Sequence, residues 1–326
     1  MPPRRAFLLA AAGDLALPAV AARAQAPAAW PDRPIRWIVN FPPGGAADIL
    51  SRALAEQIGG SLGQPIVVEN RPGAGGMVGS DLVAKARGDT HLVIMSNAAS
   101  HGIGPVLYRN VPYDPIADFT HIAMVGNFPS VLCVGEAVPA RTLAEFVALA
   151  QRQGGLTYGS GGNGTMNHLT GRLFARAAGI TLTHVPYRGS AAAMTDTMGG
   201  QIPALMESLP TALGNIRAGR LRPLASSEPE ADPALPGVPS FAQAGFPDVQ
   251  STNWFGFSAA AAIPEAVAAR WRQVIAEALA APALRERFAA IGVRPGSMGA
   301  GAYTAFIRAE LDRWREVIRA GDIRAD

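Results

Sequence analysis

Lysine is almost missing from this chain: Lys85 is the only one in 326 residues, and charged residues of every kind make up 16%. The arginines are scattered, no basic stretch dominates and the formal net charge is only +3, so the electrostatic footprint of a nucleic-acid binder is absent. Cysteine is equally scarce. Cys133 stands alone, which excludes an intrachain disulfide and a cysteine-ligated zinc module, and its run Val131-Leu132-Cys133-Val134 marks it as a small buried hydrophobe. No Gly-Lys-Ser or Gly-Lys-Thr occurs, so the chain has no P-loop, and His91, His101, His121, His168 and His184 show no His-Glu-x-x-His spacing for a metal. Gly73, Gly75 and Gly79 follow a strand, but G-x-G-x-x-x-G is not the dinucleotide fingerprint. A nucleophile elbow around Ser160 would need glycine where Tyr158 stands. These absences point to a protein without metal or cofactor that is not an enzyme.

What the chain has is apolar mass. At 49% apolar residues it can build real cores, and its length suits two lobes better than one ordinary domain. The first residues read as an export signal, 1–24: Arg4 and Arg5 precede a mostly apolar stretch from Ala6 to Ala22, and Ala22-Arg23-Ala24 offers small residues at a cleavage site. Arg4-Arg5 followed by Ala6-Phe7-Leu8 also looks like a twin-arginine signal. Removing the segment takes away three arginines and one aspartate and brings the charge from +3 to +1. No later apolar run approaches the ~20 residues of a membrane span. The expectation is a soluble, periplasmic chain.

A unit of short apolar strand, glycine-rich turn and amphipathic helix then recurs. Ile35, Trp37, Val39 and Phe41 alternate as in a strand, Pro42-Pro43-Gly44-Gly45 breaks the run, and Ile49, Leu50, Ala53, Leu54 and Ile58 form a helical stripe. Ile66-Val67-Val68, then Arg71 to Gly76, begin a second unit, and His91 to Met95 is a third strand. In the middle, Thr142 and Glu145 form a capping box for the helix Leu143 to Gln153, and the unit repeats at Leu156 to Ala178 and from Thr181 onward. Such alternation predicts α/β lobes with mostly parallel sheets flanked by helices. The tail, from Pro264 to Ala320, reads as helices that pack back onto the first lobe. Two apolar stretches, Met124 to Val134 and Thr252 to Ala259, read as strands crossing between lobes.

Three strand ends run straight into helix starts: Phe41 to Asp48, Tyr158 to His168, and Pro186 to Ser190. A helix start carries N–H groups without intrahelical partners and the positive end of the macrodipole, so an anion is welcome there. Four glycines within Gly159 to Gly164 are more than a turn requires and suit a close ligand. A carboxylate can be held in this way without an ion pair. Asp48 either complements its helix dipole, orders the turn or meets the ligand. His168 is a ligand contact or a surface residue, His184 a core one, and Arg188 a counter-ion for a second carboxylate or a solvated rim residue. An exported serine hydrolase built on Ser160 and His168 is an alternative.

Taken in order, these segments resemble the Bug-type extracytoplasmic receptors of tripartite tricarboxylate transporters. The resemblance is carried by Trp30-Pro31-Asp32-Arg33-Pro34-Ile35, by Phe41 to Asp48, by Val68-Glu69-Asn70-Arg71-Pro72-Gly73-Ala74-Gly75-Gly76, by Tyr158 to Thr165 with His168, and by His184-Val185-Pro186-Tyr187-Arg188-Gly189. It implies an α/β, two-lobed periplasmic-binding-protein-like fold of type II, with residues 30–127 plus 253–326 as the first lobe and 128–252 as the second. It implies a monomeric receptor that closes on a small organic carboxylate and works with the membrane components of such a transporter. A sensor that signals ligand occupancy would share the same chemistry. Mapped onto this sequence, Pro42, Gly44, Gly45 and Asp48 with Ser96 and Asn97 form one wall of the cleft. Ser160, Gly161, Gly162, Asn163, Gly164, Thr165 and His168 with Tyr187, Arg188, Gly189 and Ser190 form the other. Glu207 stands where many relatives carry Asp, and Ala86-Arg87-Gly88-Asp89-Thr90 replaces their Pro-Asp-Gly turn. Both departures bear on the shape of the pocket and of the turn before the third strand.

Overall fold

A computed structural model describes residues 30–321 and 323. The export segment and its cleavage site lie outside the described residues.

The recurring unit is present as read. Strand β1 (Ile35–Val39) leads to helix α1 (Ala46–Leu62), β2 (Ile66–Asn70) to α2 (Met77–Ala84), and β3 (Leu92–Asn97) to the short helix α3 (Gly104–Leu107). Between β3 and α3 the chain makes one π-helical turn at Ala98–Ile103, all of it buried. The long strand β4 (Phe119–Gly135) follows. Beyond it lie α4 (Leu143–Arg152), β5 (Leu156–Ser160), α5 (Met166–Ala177), β6 (Leu182–Pro186), α6 (Ser190–Met198), β7 (Ala204–Ser208), α7 (Leu209–Arg217) and β8 (Leu221–Ser226). The chain returns through β9 (Thr252–Ala260) to α8 (Glu265–Ala280), α9 (Pro282–Ala290), the two-residue β10 (Arg294–Pro295) and α10 (Ala300–Gly321). At α4 the Thr142 hydroxyl accepts from Glu145 N–H, while the Glu145 carboxylate accepts from Arg141 N–H, one residue earlier than a reciprocal box would have it.

The strands form one curled path, β2-β1-β3-β9-β4-β7-β5-β6, with β8 and β10 also paired to β4. Pairing is parallel at both ends, β1 with β2 and β3, β5 with β6 and β7. It is antiparallel through the centre, where β9 joins β3 and β4, and β4 joins β7 and β8. The sheet is therefore mixed, because the two long strands run against their neighbours as they cross. β4 changes partner midway: Phe119 to Pro129 pairs with β9, and Ser130 to Gly135 pairs with β7 and β8.

One core lies between β1, β3, β9 and the helices α1, α8 and α9, with Trp37, Phe257 and Trp271 in successive ring contacts at 4.9 and 4.7 Å. A second surrounds Phe146, Tyr158, Phe174 and Phe241, and Cys133 is buried in a third beside β4. Helix α10 closes a further cluster with Trp254, Tyr303, Ile307 and Trp314. Its buried Glu310 is the polar pin of that cluster: Oε2 accepts from the indole N–H of Trp254 at 2.9 Å and of Trp314 at 3.0 Å. Replacing Glu310 by Leu strands both N–H groups in the core, and each costs about 1–3 kcal/mol. Urea unfolding of Glu310→Leu is expected to show a loss of roughly 2–5 kcal/mol, and Glu310→Gln, which keeps one carbonyl acceptor, a smaller one.

Candidate binding site

Between the two halves of the sheet the structure holds a narrow cleft, open on one side. Its first wall is Phe41 and Pro42, the start of α1 at Gly45–Ala47, and Asn97–Ala99 at the end of β3. Its second wall is Gly161, the start of α5 at Thr165–Asn167, the start of α6 at Gly189 and Ser190, and Ser208 at the start of α7. Asn253, Trp254 and Phe255 of β9 form the floor.

Four helices thus begin on one cavity. The residues before α1, α6 and α7 (Gly45, Gly189 and Ser208) make no side-chain cap, so first-turn N–H groups remain available at α1 and α6, while at α7 Pro210 carries none. Only α5 is capped, by the Thr165 hydroxyl on His168 N–H at 3.2 Å. No charged side chain lines the inner cleft among the described residues. Polar atoms line one side and aromatic rings the floor, so the geometry suits one anionic group on a carbon body.

Charged groups stand behind the walls and are committed there. Burial works against the charge of Asp48, but hydrogen bonds from Arg52, Gly44 N–H and Asn70 outweigh it and hold the pKa below the ordinary value. Asp48 therefore orders the turn before α1. His168 is kept neutral, its pKa lowered to about 4 by burial and by Arg172. Its Nδ1 receives Gly164 N–H at 3.3 Å and its ring stacks on His184 at 4.1 Å. Ser160, the supposed nucleophile of the hydrolase alternative, meets His184 Nε2 at 2.7 Å instead of His168 and is fully buried.

Among the residues picked from the sequence, Pro42, Gly45, Asn97, Thr165 and Gly189 line the inner cleft. Gly162, Asn163, Tyr187 and Arg188 line an outer mouth that shares Phe41, Pro42, Gly161 and Gly189 with it. Asp48, Ser96, Ser160, Gly164, His168 and Glu207 are buried and line neither surface, and Gly44 is exposed outside both; Ser96, for example, is bonded to Ser258 and Tyr303. Two contacts close the mouth: Tyr108 OH donates to the Asn163 carbonyl at 3.2 Å, and Gly189 abuts Pro42.

Sequence reasoning missed Asn40, Asn167, Ser208 and the floor residues Asn253, Trp254 and Phe255. Asn40, fully buried, joins Ser80, Ser100 and Asn97 beneath the first wall. Asn167 joins Ser130, Ser208 and Glu207, and Ser130 in turn accepts from Asn253. The available signal was position: Asn167 follows the glycine-rich turn by three residues, and Asn253 begins a strand already read as a crossing.

Glu207 is the buried carboxyl next to the cleft. It has no exposed surface, and burial pushes its carboxyl up to about 7 against hydrogen bonds from Ser208 N–H, Ser190 and Asn167. In the unfolded chain it titrates near the ordinary 4.5. Between those two values the folded state holds the extra proton, so stability falls as pH rises through that window and stays lost above it. The full loss is on the order of 3 kcal/mol. Glu207→Gln removes it, so the variant is expected to gain on wild type in urea unfolding from about pH 5 to about pH 8. A constant difference across that range would show that Glu207 does not titrate there.

The family model for the tripartite tricarboxylate transporter family receptor matches residues 50–323. The UPF0065 protein in the tcbD-tcbE intergenic region of Pseudomonas sp. strain P51 is 36% identical over 306 residues, covering 93% of this chain and 91% of that protein. Protein BugT of Bordetella pertussis is 35% identical over 292 residues, covering 89% and 90%. Among solved structures, a periplasmic transporter superimposes with TM-score 0.88 at 33% identity, covering 91% of this chain and all of that one. An R. palustris protein with adipate gives TM-score 0.88 at 29% identity, covering 90% and 99%.

Proposed function

The chain belongs to the tripartite tricarboxylate transporter receptor family, and on that premise we propose that it closes two lobes over one small organic carboxylate and hands it to the membrane components of such a transporter. As a member it is a solute-binding receptor and not an enzyme. The observation that carries the reading is the convergence of helix starts on one cleft that, among the described residues, no charged side chain lines. An anion is what unpaired N–H groups favour, and a carboxylate is the anion whose carbon body the rings of Phe41, Trp254 and Phe255 would cover. The adipate held by the R. palustris relative supports the same class.

The moving bodies in this reading are residues 30–127 with 253–326, and 128–252, joined where β4 and β9 cross. Export by the N-terminal signal, through either secretion route, places the receptor in the periplasm, where a single chain suffices. No helix among the described residues is long and apolar enough to cross a membrane. Ligand would bridge the two walls and favour the closed form, and the membrane partner would read that change of shape.

Closure brings Gly189 against Pro42. A Cβ on Gly189 would lie 2.8 Å from Pro42 Cγ, and its φ of 111° is one that only glycine adopts without strain. Gly189→Ala is therefore expected to prop the mouth open and weaken ligand binding by about tenfold or more, read by calorimetry. Gly200→Ala, with φ of 77° and nothing within 4 Å, carries backbone strain without the wedge and should bind as wild type does.

The reading itself is tested by melting curves with benzoate, adipate, malate and citrate. At 100 times Kd a ligand supplies about 2.7 kcal/mol, which raises the melting temperature by roughly 5–10 °C for lobes of this size. If none of the four acids moves the curve, the carboxylate reading fails.

A further inference from the structure

We propose that Glu207 is a positioning residue for anion capture, and that a carboxylate settling against Asn167, Ser190 and Ser208 draws a proton from solvent onto Glu207. The inference rests on the receptor reading above and deepens it.

The carboxyl sits one hydrogen bond behind the cleft. Its Oε1 accepts from Ser208 N–H at 2.8 Å and from Asn167 Nδ2 at 3.2 Å, and Ser208 and Asn167 both line the cavity. The Ser190 hydroxyl, a third lining group, also faces it. Its Oε2 is buried without a hydrogen-bond partner. Strand β4 presents Ser130 and Cys133, whose thiol burial keeps protonated, while α5 presents Asn167, α6 Ser190 and α7 Ser208. His168, next to Asn167, turns instead to Gly164 and His184. Among the described residues no arginine, lysine or histidine forms an ion pair with Glu207.

Two negative charges therefore compete for one set of polar groups. Asn167, Ser190 and Ser208 can point their donors at Glu207 or at a ligand. An anion a few ångströms away raises the cost of keeping Glu207 charged. Protonation removes the repulsion, weakens Oε1 as the acceptor that competes for Asn167 and Ser208 N–H, and makes Oε2 an O–H group. No bond in the ligand changes; one proton passes from solvent to Oε2.

The sign of the linkage follows. Free Glu207 titrates at about 7. Below that value the carboxyl already carries its proton and binding takes up none. Above it each binding event must draw close to one, so affinity falls by up to about tenfold per pH unit. Asn167 passes the effect onward, because its Oδ1 accepts from Ser130 at 2.7 Å, and Ser130 accepts from Asn253 at 2.9 Å where β4 and β9 cross.

The test is calorimetric titration of wild type and Glu207→Gln with whichever of benzoate, adipate, malate or citrate binds most tightly. It is run at about pH 6 and about pH 8, in phosphate and in imidazole, whose ionisation heats differ. Wild type is expected to take up nearly one proton at the higher pH and almost none at the lower, with affinity about tenfold weaker at the higher. Glu207→Gln should show neither the uptake nor the pH dependence, and the ligand's own ionisation cancels in that comparison. Binding by wild type with no buffer dependence at the higher pH overturns the inference, as does the same uptake in the variant. Should the variant not fold, the two-buffer measurement on wild type decides alone. If no acid binds, the receptor reading fails and takes this inference with it, a result distinct from binding without a proton.

Discussion

An anion leaving water surrenders several kcal/mol of solvation, which a low-dielectric site must replace with donors fixed in advance. In this cleft no lysine or arginine lines the wall among the described residues; the donors it offers are main-chain N–H groups at the starts of α1 and α6, with a few hydroxyls and amides. Each helix start contributes only about 0.3–2 kcal/mol, so several must converge. That requirement shapes the fold. Parallel strands followed by helices place the helix starts at one end of the sheet, and the curled path with β4 and β9 at its centre turns two such ends toward each other.

The same requirement dictates what stands behind the walls. Main-chain donors keep their aim only if the turns that carry them are rigid. Asp48 holds Gly44 N–H while bonded to Arg52 and Asn70, Asn97 is held by Asn40, and Tyr158 OH ties down the His168 carbonyl inside α5. These polar side chains do for the turns what a capping residue does for a single helix. They also explain why the cleft can stay uncharged while charged residues lie one layer away: each carboxylate there is either paired or, at Glu207, has its proton affinity raised by burial.

Much of this was legible in the sequence because it is written in local patterns. Alternation in Ile35 to Phe41, the helical stripe to Ile58 and the glycine density of Gly159 to Gly164 each identify an element and its end from a few neighbouring residues. What stayed hidden depends on contacts across the chain. Asn167 faces the cavity because β7 brings Glu207 and Ser208 beside it, forty residues later. Trp254 reaches the floor because α10 supplies Glu310 to its indole from fifty-six residues away. Ser160 and His184 meet because β5 and β6 pair in parallel, a register that periodicity alone does not set. The mixed centre of the sheet belongs to the same class: strand direction at β4 and β9 follows from how the chain crosses and returns.

A site built from amides is tolerant by construction, because backbone N–H groups are the same in every sequence that keeps the turns. Discrimination among acids then falls to the side chains that are left, the rings of Phe41, Trp254 and Phe255 over the carbon body and the Asn167–Ser190–Ser208 group over the charge. Of these only the second set answers to a titratable group. A neutral residue at position 207 would compete only weakly for those donors at any pH; a carboxylate with a low pKa would compete strongly at every pH. A buried glutamate near neutrality does neither. It makes the cleft's readiness for an anion a function of proton activity outside the membrane, using a carboxyl that never touches the cavity.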